Sequence, residues 1–126
     1  MTLRLRQKKV CWRMHEYSLA QSILHSAAEH ADGAKVLQID LVIGESSGIL
    51  GESLRMYFDI FAENTLCEEA VIEIETVKPK LSCKACGMLF VRKPFSFTCT
   101  CGGEGEPTDI GREFFIKSIT VDSANG

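Results

Sequence analysis

Two stretches of the chain repeat apolar residues with the spacing of an amphipathic helix. In the first, apolar positions three and four apart predict a helix that closes at Asp32-Gly33. These positions are Leu19, Ala20, Ile23, Leu24, Ala27, Ala28 and Ala31. The second predicted helix runs from about Glu52 to Asn64, and it buries Leu54, Tyr57, Phe58, Phe61 and Ala62. Each segment therefore has one apolar face to pack against a core.

Three other stretches alternate apolar and polar residues, which is the period of a half-buried strand. KVLQIDLVIG (35–44) ends at Gly44 and places four apolar residues on one face, namely Leu37, Ile39, Leu41 and Ile43. VIEIETV (71–77) and EFFIKSITV (113–121) follow the same period. Together with the helices, the strands predict an α+β fold in which two helices pack on a three-stranded sheet.

The pattern changes between the second and third of these strands. From Lys80 to Thr108 there is no long apolar period, and four cysteines, several glycines and two prolines take its place. A core that a cysteine-rich segment interrupts and a last strand completes is the simplest organisation. We therefore predict a leader (1–13), an α/β lobe (14–78 and 109–122), an inserted lobe (79–108) and a tail (123–126), with the leader disordered.

Charge and composition narrow the classes of function. The leader holds five basic residues and no acid, whereas the remainder holds nine basic and seventeen acidic residues. A body this acidic argues against nucleic-acid binding, because phosphate contacts supply most of the non-specific affinity. No apolar run is long enough to span a membrane, and the leader lacks the apolar core of a signal peptide. We therefore expect a cytoplasmic protein whose six cysteines are thiols and metal ligands rather than disulfides.

Four of the cysteines have the spacing of a zinc site. Cys83 and Cys86 form a CxxC pair, and Cys99 and Cys101 form a CxC pair, each followed directly by a glycine. Paired thiolates from two tight turns supply the tetrahedral ligands that Zn²⁺ prefers, and four protein ligands leave no open position for catalysis. The segment is too short to bury a core, so metal binding would supply its folding energy. A redox-active CxxC pair and four unligated cysteines are the alternatives.

A second candidate for metal chemistry is the sequence Met14-His15-Glu16. If the chain begins at Met14, a free amine, the following backbone amides and the His15 imidazole lie close together, and such nitrogen donors suit square-planar Ni(II) or Cu(II). With the leader attached, the amine becomes an amide. The alternative is a histidine that caps the helix or lies on the surface.

Other residues are weaker candidates. Three acids near the loop after the first strand could approach a metal: Asp40, Glu45 and Glu52. We expect His25 and His30 on the solvated face of the first helix, and Cys67 as a free thiol without a role. No catalytic triad, phosphate-binding loop or pair of catalytic acids is present, so the sequence gives no argument for an enzyme.

Taken together, these motifs resemble the HypA/HybF family of nickel metallochaperones, which act in the maturation of nickel–iron hydrogenase. The resemblance spans residues 14–122, and its elements occur in the family's order. They are MHEYSLA with its helix, the strand ending at Gly44, Ser47-Gly48, Glu52-Ser53-Leu54, the Glu69–Ile74 strand, the two cysteine pairs and IKSITVD. The opening MHE combined with a downstream cysteine quartet is what makes the match specific.

The resemblance implies two metals and two protein partners. Ni(II) would bind transiently near Met14 through His15 and the backbone of His15 and Glu16, while Cys83, Cys86, Cys99 and Cys101 would hold structural Zn(II). The implied partners are a hydrogenase-maturation GTPase and the hydrogenase large subunit, and some family members also serve urease. Neither nucleic acid nor a membrane is an expected partner, and a homodimer stays open.

Three departures from the family pattern bear on these expectations. The second cysteine pair is shorter than the usual Cys-Pro-x-Cys and lacks its proline. Leu50 stands where an acid is often found, which leaves Glu52 or Asp40 as substitutes. The leader has no counterpart.

Two rival functions remain at this stage. The first is a zinc-ribbon adaptor that binds protein or nucleic acid through a basic and aromatic set, formed by Lys84, Phe90, Arg92, Lys93, Phe95 and Phe97. The second is an enzyme that uses the zinc, which would need an open ligand position.

Overall fold

The computed structural model describes residues 2–4, 16–91 and 96–122. Within these ranges the chain forms two α-helices and seven β-strands, with one 3₁₀ turn at Glu45–Ser47. In chain order they are β1 (Thr2–Arg4), α1 (Glu16–Ala31), β2 (Val36–Gly44), α2 (Gly51–Ala62), β3 (Val71–Val77), β4 (Lys80–Cys83), β5 (Leu89–Val91), β6 (Gly105–Pro107) and β7 (Phe114–Val121). Neither helix is long and apolar enough to cross a membrane.

Four strands form the larger sheet, in the order β1-β7-β2-β3. β2 and β3 are parallel, because α2 carries the chain back across the sheet between them, whereas β7 runs antiparallel to both of its neighbours. The predicted α+β class is confirmed. The sheet has four strands rather than the predicted three.

The additional strand, β1, comes from the leader. Thr2 pairs with Thr120 and Leu3 with Ile119, and the Leu3 side chain packs against the core. The expectation of a disordered leader is therefore wrong for Thr2–Arg4. These residues pair with the backbone groups on the outer edge of β7, which would otherwise be unpaired. The rest of the leader and the tail lie outside the described residues.

The main core lies between the helices and the larger sheet. Its fully buried side chains include Leu19 and Ile23 from α1, Phe58 from α2, and Ile39 and Ile119 from the strands. These residues occupy the apolar positions that the helical and strand periods predicted. The core accordingly follows from the sequence pattern.

One position of the first predicted strand departs from its pattern. Leu37 is 39% exposed, whereas its neighbour Val36 is fully buried. The pairing of β2 with β7 shifts register between Val36 and Gln38, so Leu37 has no partner on β7. Such an irregularity changes the face on which the side chain lies. The predicted inward face is therefore wrong for Leu37 and correct for Ile39, Leu41 and Ile43.

Three aromatic rings join the two helices at the start of α1. The ring of Tyr17 meets Tyr57 and Phe61 edge to face, at centroid distances of 5.7 and 4.8 Å. Tyr57 and Phe61 are half-buried rather than buried, because the ring that covers them is itself exposed. Each such pair contributes about 0.5–1.5 kcal/mol beyond its buried area, so this contact holds the start of α1 against α2.

The cysteine-rich segment forms a second, smaller sheet in the order β5-β4-β6, with antiparallel pairing throughout. Its buried apolar side chains include Leu81, Cys83 and Cys99. So small a core supplies little hydrophobic stabilisation, and a bound metal would have to supply the rest.

The two connections between the sheets touch each other beside the end of β2. Gly111 has φ +102°, and a Cβ atom there would lie 2.6 Å from Pro79 Cα. The Gly111 carbonyl accepts a hydrogen bond from the Ser46 N–H at 2.7 Å. Glycine at 111 therefore allows both connections to pass close to the loop that follows β2.

Candidate metal site

The four cysteines predicted as zinc ligands converge on one point. Their sulfur atoms all lie within 4.8 Å of one another. The Sγ atoms of Cys83 and Cys101 are 3.5 Å apart, and those of Cys86 and Cys99 are 3.8 Å apart. Four sulfurs bound to one Zn²⁺ at about 2.3 Å in a tetrahedron would be about 3.8 Å apart. The sulfur positions therefore fit a tetrahedral zinc ion.

Two tight turns place these sulfurs. In the first, the Cys86 N–H points at Cys83 Sγ across 3.4 Å, and Gly87 leaves the turn with φ +75°. In the second, the Cys99 N–H donates to the Gly103 carbonyl at 2.8 Å, and Gly102 has φ +90°. The shorter CxC pair thus closes a turn of its own, and the glycine after each pair takes a left-handed conformation that other residues rarely adopt.

The metal-free thiols differ widely in acidity. Hydrogen bonds, chiefly from the Cys86 N–H, lower the pKa of Cys83 to about 6, although burial opposes the shift. The Cys101 N–H likewise lowers the pKa of Cys99. At Cys101 the N–H of Gly103 acts in the same direction, but the three other thiols outweigh it and raise the pKa to about 12. Four thiolates at this spacing repel one another, and a divalent cation would remove that repulsion.

The donor set also indicates what kind of metal site this is. All four candidate ligands are sulfur, which suits zinc, and two of them, Cys83 and Cys99, are buried. Four protein donors leave no position for water or substrate, so zinc held here would stabilise the fold rather than act in catalysis. A redox pair needs only two thiols, so the convergence of all four favours a metal.

Gly103 supports the site and was missed by the sequence interpretation. A Cβ atom at this position would lie 2.6 Å from Cys83 Sγ and 2.8 Å from Ala85 Cβ. The backbone of residue 103 therefore passes directly against the sulfur cluster, with no room for a side chain. The double glycine after Cys101 was the available signal, but sequence does not reveal which of two adjacent glycines is constrained by its neighbours.

We expect Gly103→Ala to lower zinc affinity by about tenfold or more, comparable with losing an outer-shell partner of a metal site. Gly102→Ala is the matched control, because a Cβ atom there meets nothing within 4 Å and only the left-handed φ is strained. Competition with a chromogenic zinc chelator measures both affinities. Equal losses in the two variants would show that backbone strain, and not contact with the sulfurs, limits position 103.

The nickel candidates are only partly within the described residues. Met14 and His15 lie outside them, and Glu16 is the first residue of α1. The Glu16 Oε1 atom accepts a hydrogen bond from the Leu50 N–H at 3.1 Å. This contact ties the start of α1 to the end of the loop after β2.

Of the three candidate acids, Asp40 has a different environment from Glu45 and Glu52. Both carboxylate oxygens of Asp40 already accept hydrogen bonds, from Gln38 Nε2 and from Ser118 Oγ, each at 2.7 Å. Glu45 and Glu52 are exposed and line a cleft of about 430 Å³ together with Arg55. Glu45 and Glu52 are therefore better placed than Asp40 to reach an ion near the loop.

The remaining candidates lie where the sequence predicted them. His25 is exposed, 4.0 Å from Glu29, and the exposed His30 has Nδ1 2.8 Å from the Ser26 carbonyl. Cys67 is fully buried, and burial raises the pKa of its thiol. A neutral, buried thiol of this kind is unreactive.

Comparison with known proteins finds one family that matches most of the chain. The family model described as hydrogenase/urease nickel incorporation, metallochaperone, hypA, matches residues 14–121. The hydrogenase maturation factor HypA of Caldanaerobacter subterraneus subsp. tengcongensis is 41% identical over 114 residues, which cover 86% of this chain and 100% of that protein. The HypA of Dehalococcoides mccartyi is 35% identical over 113 residues, covering 86% of this chain and 95% of that protein.

A solved structure agrees with these relatives. The solution structure of the nickel metallochaperone HypA from Helicobacter pylori matches with a TM-score of 0.58 at 30% identity, covering 86% of this chain and 97% of that one. A second solution structure of a HypA protein matches with a TM-score of 0.66 at 27% identity.

Proposed function

The chain belongs to the HypA family of nickel metallochaperones for hydrogenase maturation, and we propose that Met14, His15 and Glu16 form its nickel site while the four clustered cysteines hold zinc. One observation carries the nickel assignment: the family match begins at Met14, directly before the histidine that can supply an imidazole. The zinc assignment is supported by the tetrahedral spacing of Cys83, Cys86, Cys99 and Cys101.

In this proposal, nickel is the ion that the protein carries, so its site must be able to release it. The Met14 nitrogen, the His15 imidazole and the adjoining backbone supply nitrogen donors at the start of α1, which suits a square-planar ion. The hydrogen bond from Leu50 to Glu16 and the ring contacts of Tyr17 hold the start of this helix in place. The helix therefore gives the preceding nitrogen donors a rigid attachment point. A site made of one short segment before α1 can be emptied without unfolding the core.

The two proposed metals bind to different lobes. The α/β lobe (14–78 and 109–122) carries nickel, and the inserted lobe (79–108) is stabilised by zinc. The protein carries an ion without catalysing a reaction, and it delivers nickel to the hydrogenase large subunit in cooperation with a maturation GTPase. The free thiols of the described residues support a reducing compartment such as the cytoplasm. A zinc-ribbon adaptor as the main function is not favoured, because the family match spans both lobes.

We expect His15→Ala to lower nickel affinity by at least about tenfold, the lower end of what the loss of even an outer-shell partner costs. Calorimetric titration of zinc-loaded protein measures this affinity, with His25→Ala as the matched control because His25 is an exposed histidine of α1. A chain that begins at Met14 should bind nickel more tightly than the full chain, since it restores the free amine.

Removing residues 1–13 also removes β1, so a third form is needed. The short chain with an acetylated Met14 lacks β1 and the amine, and it should bind nickel as weakly as the full chain does. Nickel affinity that stays unchanged in His15→Ala would refute the proposed site. Equal affinity of the acetylated and free short chains would exclude the amine as a ligand.

A further inference from the structure

The edges of the larger sheet are partly protected against pairing with another strand. Unpaired N–H and C=O groups on an edge strand bind another extended chain unless shortness, charge, proline or a covering group prevents it. One edge is β1, which has only three residues and ends at Arg4. At the other edge, Arg55 donates from Nε and Nη2 to the Ile72 carbonyl of β3, at 3.3 and 3.2 Å. β1 is thus too short to pair with a long strand, and Arg55 occupies one outward carbonyl of β3.

The outer edge of β6 in the smaller sheet is also occupied. The Gly105 N–H donates to the Phe97 carbonyl at 2.8 Å, and Thr98 forms a bridge with Glu104. Pro107, the last residue of β6, has no N–H to offer. The residues before Cys99 therefore cover this edge.

β5 is different, because its outer edge carries no strand in the part of the chain that the structure describes. The Cys83 N–H donates to the Met88 carbonyl at 2.9 Å, which makes these two residues a hydrogen-bonded pair. Such pairs alternate along an antiparallel ladder, so Phe90 is the next residue bonded to β4. The N–H and C=O groups of Leu89 and Val91 consequently point away from β4.

The side chains on β5 give this edge an apolar surface. Leu89 is 51% exposed and Val91 is 47% exposed, and both lie on the same face because side chains alternate along a strand. Phe90 lies on the opposite face, against Gly105. Met88, at 64% exposure, extends the apolar surface at the start of the strand. The edge thus combines outward backbone groups with side chains that an added strand could cover.

Charge indicates the kind of strand that would fit. Lys80 lies directly opposite Val91 and forms no ion pair among the described residues, whereas Lys84 has carboxylates of Glu104 and Glu106 at 3.8 and 4.0 Å. Residues 80–108 hold four basic and two acidic residues, while the rest of the chain from residue 14 onward holds five basic and fifteen acidic ones. This lobe is therefore the basic part of an otherwise acidic body.

We propose that the outer edge of β5 binds a short, extended segment of a partner protein, rich in acidic and apolar residues, as a fourth strand of the smaller sheet. In this binding mode, main-chain hydrogen bonds supply affinity and alternate side chains supply specificity. A three-residue strand is a small contact, which suits an extended peptide segment better than the roughly 1,600 Å² interface between two folded proteins, including two folded copies of this chain. The proposal concerns the smaller sheet and does not depend on the nickel site.

The test uses a fluorescein-labelled peptide of seven alternating glutamate and valine residues and the full, zinc-loaded chain. We expect saturable binding by fluorescence anisotropy, and binding at least about tenfold weaker for a lysine–valine peptide, because like charges across a contact cost affinity. A glutamate–valine peptide with every backbone amide methylated should not bind. In hydrogen exchange followed by NMR, the peptide should slow the amides of Leu89 and Val91 and leave that of Phe90 unchanged.

Two variants test the edge from the protein side. Val91→Pro removes an outward N–H without taking a hydrogen bond from β4, and it should abolish peptide binding. Lys80→Glu leaves the backbone intact and should weaken binding several-fold, while Lys117→Glu, an exposed lysine on the larger sheet, should leave it unchanged.

Several results would overturn the proposal. The methylated peptide could bind as well as the unmethylated one. Val91→Pro and Lys80→Glu could both leave peptide binding unchanged. The amides that exchange more slowly could lie in the α/β lobe. Tighter binding of a single-stranded DNA oligonucleotide, or a dimer that Val91→Pro dissociates, would assign this edge to a different partner.

Discussion

Replacing Cys83 with serine is expected to remove stoichiometric zinc and to unfold residues 80–108 while the α/β lobe stays folded. Structural zinc sites supply on the order of 10–16 kcal/mol of apparent binding energy at neutral pH, and a hydroxyl replaces a thiolate poorly. The smaller sheet has too few buried apolar side chains to compensate for that loss. The α/β lobe has its own core, which none of the four cysteines enters.

Zinc content by mass spectrometry and amide NMR spectra measure the two effects separately. Cys67→Ala is the matched control: Cys67 belongs to the core of the α/β lobe, so this variant should keep one zinc per chain and lose stability in that lobe. Retention of one zinc by Cys83→Ser would show that Cys83 is not a required ligand. A chain that is wholly unfolded by circular dichroism would contradict the separation of the two lobes.

The second large effect is expected at Gly44, the last residue of β2. A Cβ atom there would lie 2.0 Å from the Gly111 carbonyl oxygen and 2.6 Å from the Arg112 nitrogen, and both of these are backbone atoms that cannot rotate away. Gly44→Ala should therefore destabilise the protein by about 4 kcal/mol or more, which is exceptional for one substitution. Urea unfolding followed by circular dichroism measures this loss.

Gly33→Ala is the matched control for that experiment. Gly33 closes α1 with φ +85°, and a Cβ atom there meets nothing within 4 Å. Only the left-handed conformation is penalised, so the cost should be about 1–2 kcal/mol. If the two variants lose the same stability, close packing of the Gly44 and Gly111 backbones does not determine the junction.

The sequence alone predicts the result for Cys83→Ser but not the result for Gly44→Ala. Cys83→Ser follows from the spacing of the cysteine pairs, because a short segment with four thiols has few other ways to fold. Gly44→Ala follows only from coordinates. In the sequence, Gly44 ends a strand, and nothing indicates that Gly111, 67 positions later, passes against it.

The helices, the main strands and the metal chemistry were predictable because each depends on neighbours in the sequence. The 3.6-residue period of α1, the alternation of β3 and β7, and the tight turns at Cys83–Cys86 and Cys99–Cys101 are all local patterns. The sequence by itself therefore determined the α+β class, the two lobes as an expectation, and the four thiols as one candidate site.

Only the tertiary structure decided the features that depend on residues far apart in the chain. It added β1 to the edge of β7, turned Leu37 outward through a register shift, and placed Gly103 against Cys83 Sγ. Among the described residues, it also left the outer edge of β5 without a paired strand. Pairing register, close backbone approach and edge exposure are set by which strands become neighbours, and local periodicity carries no information about that choice.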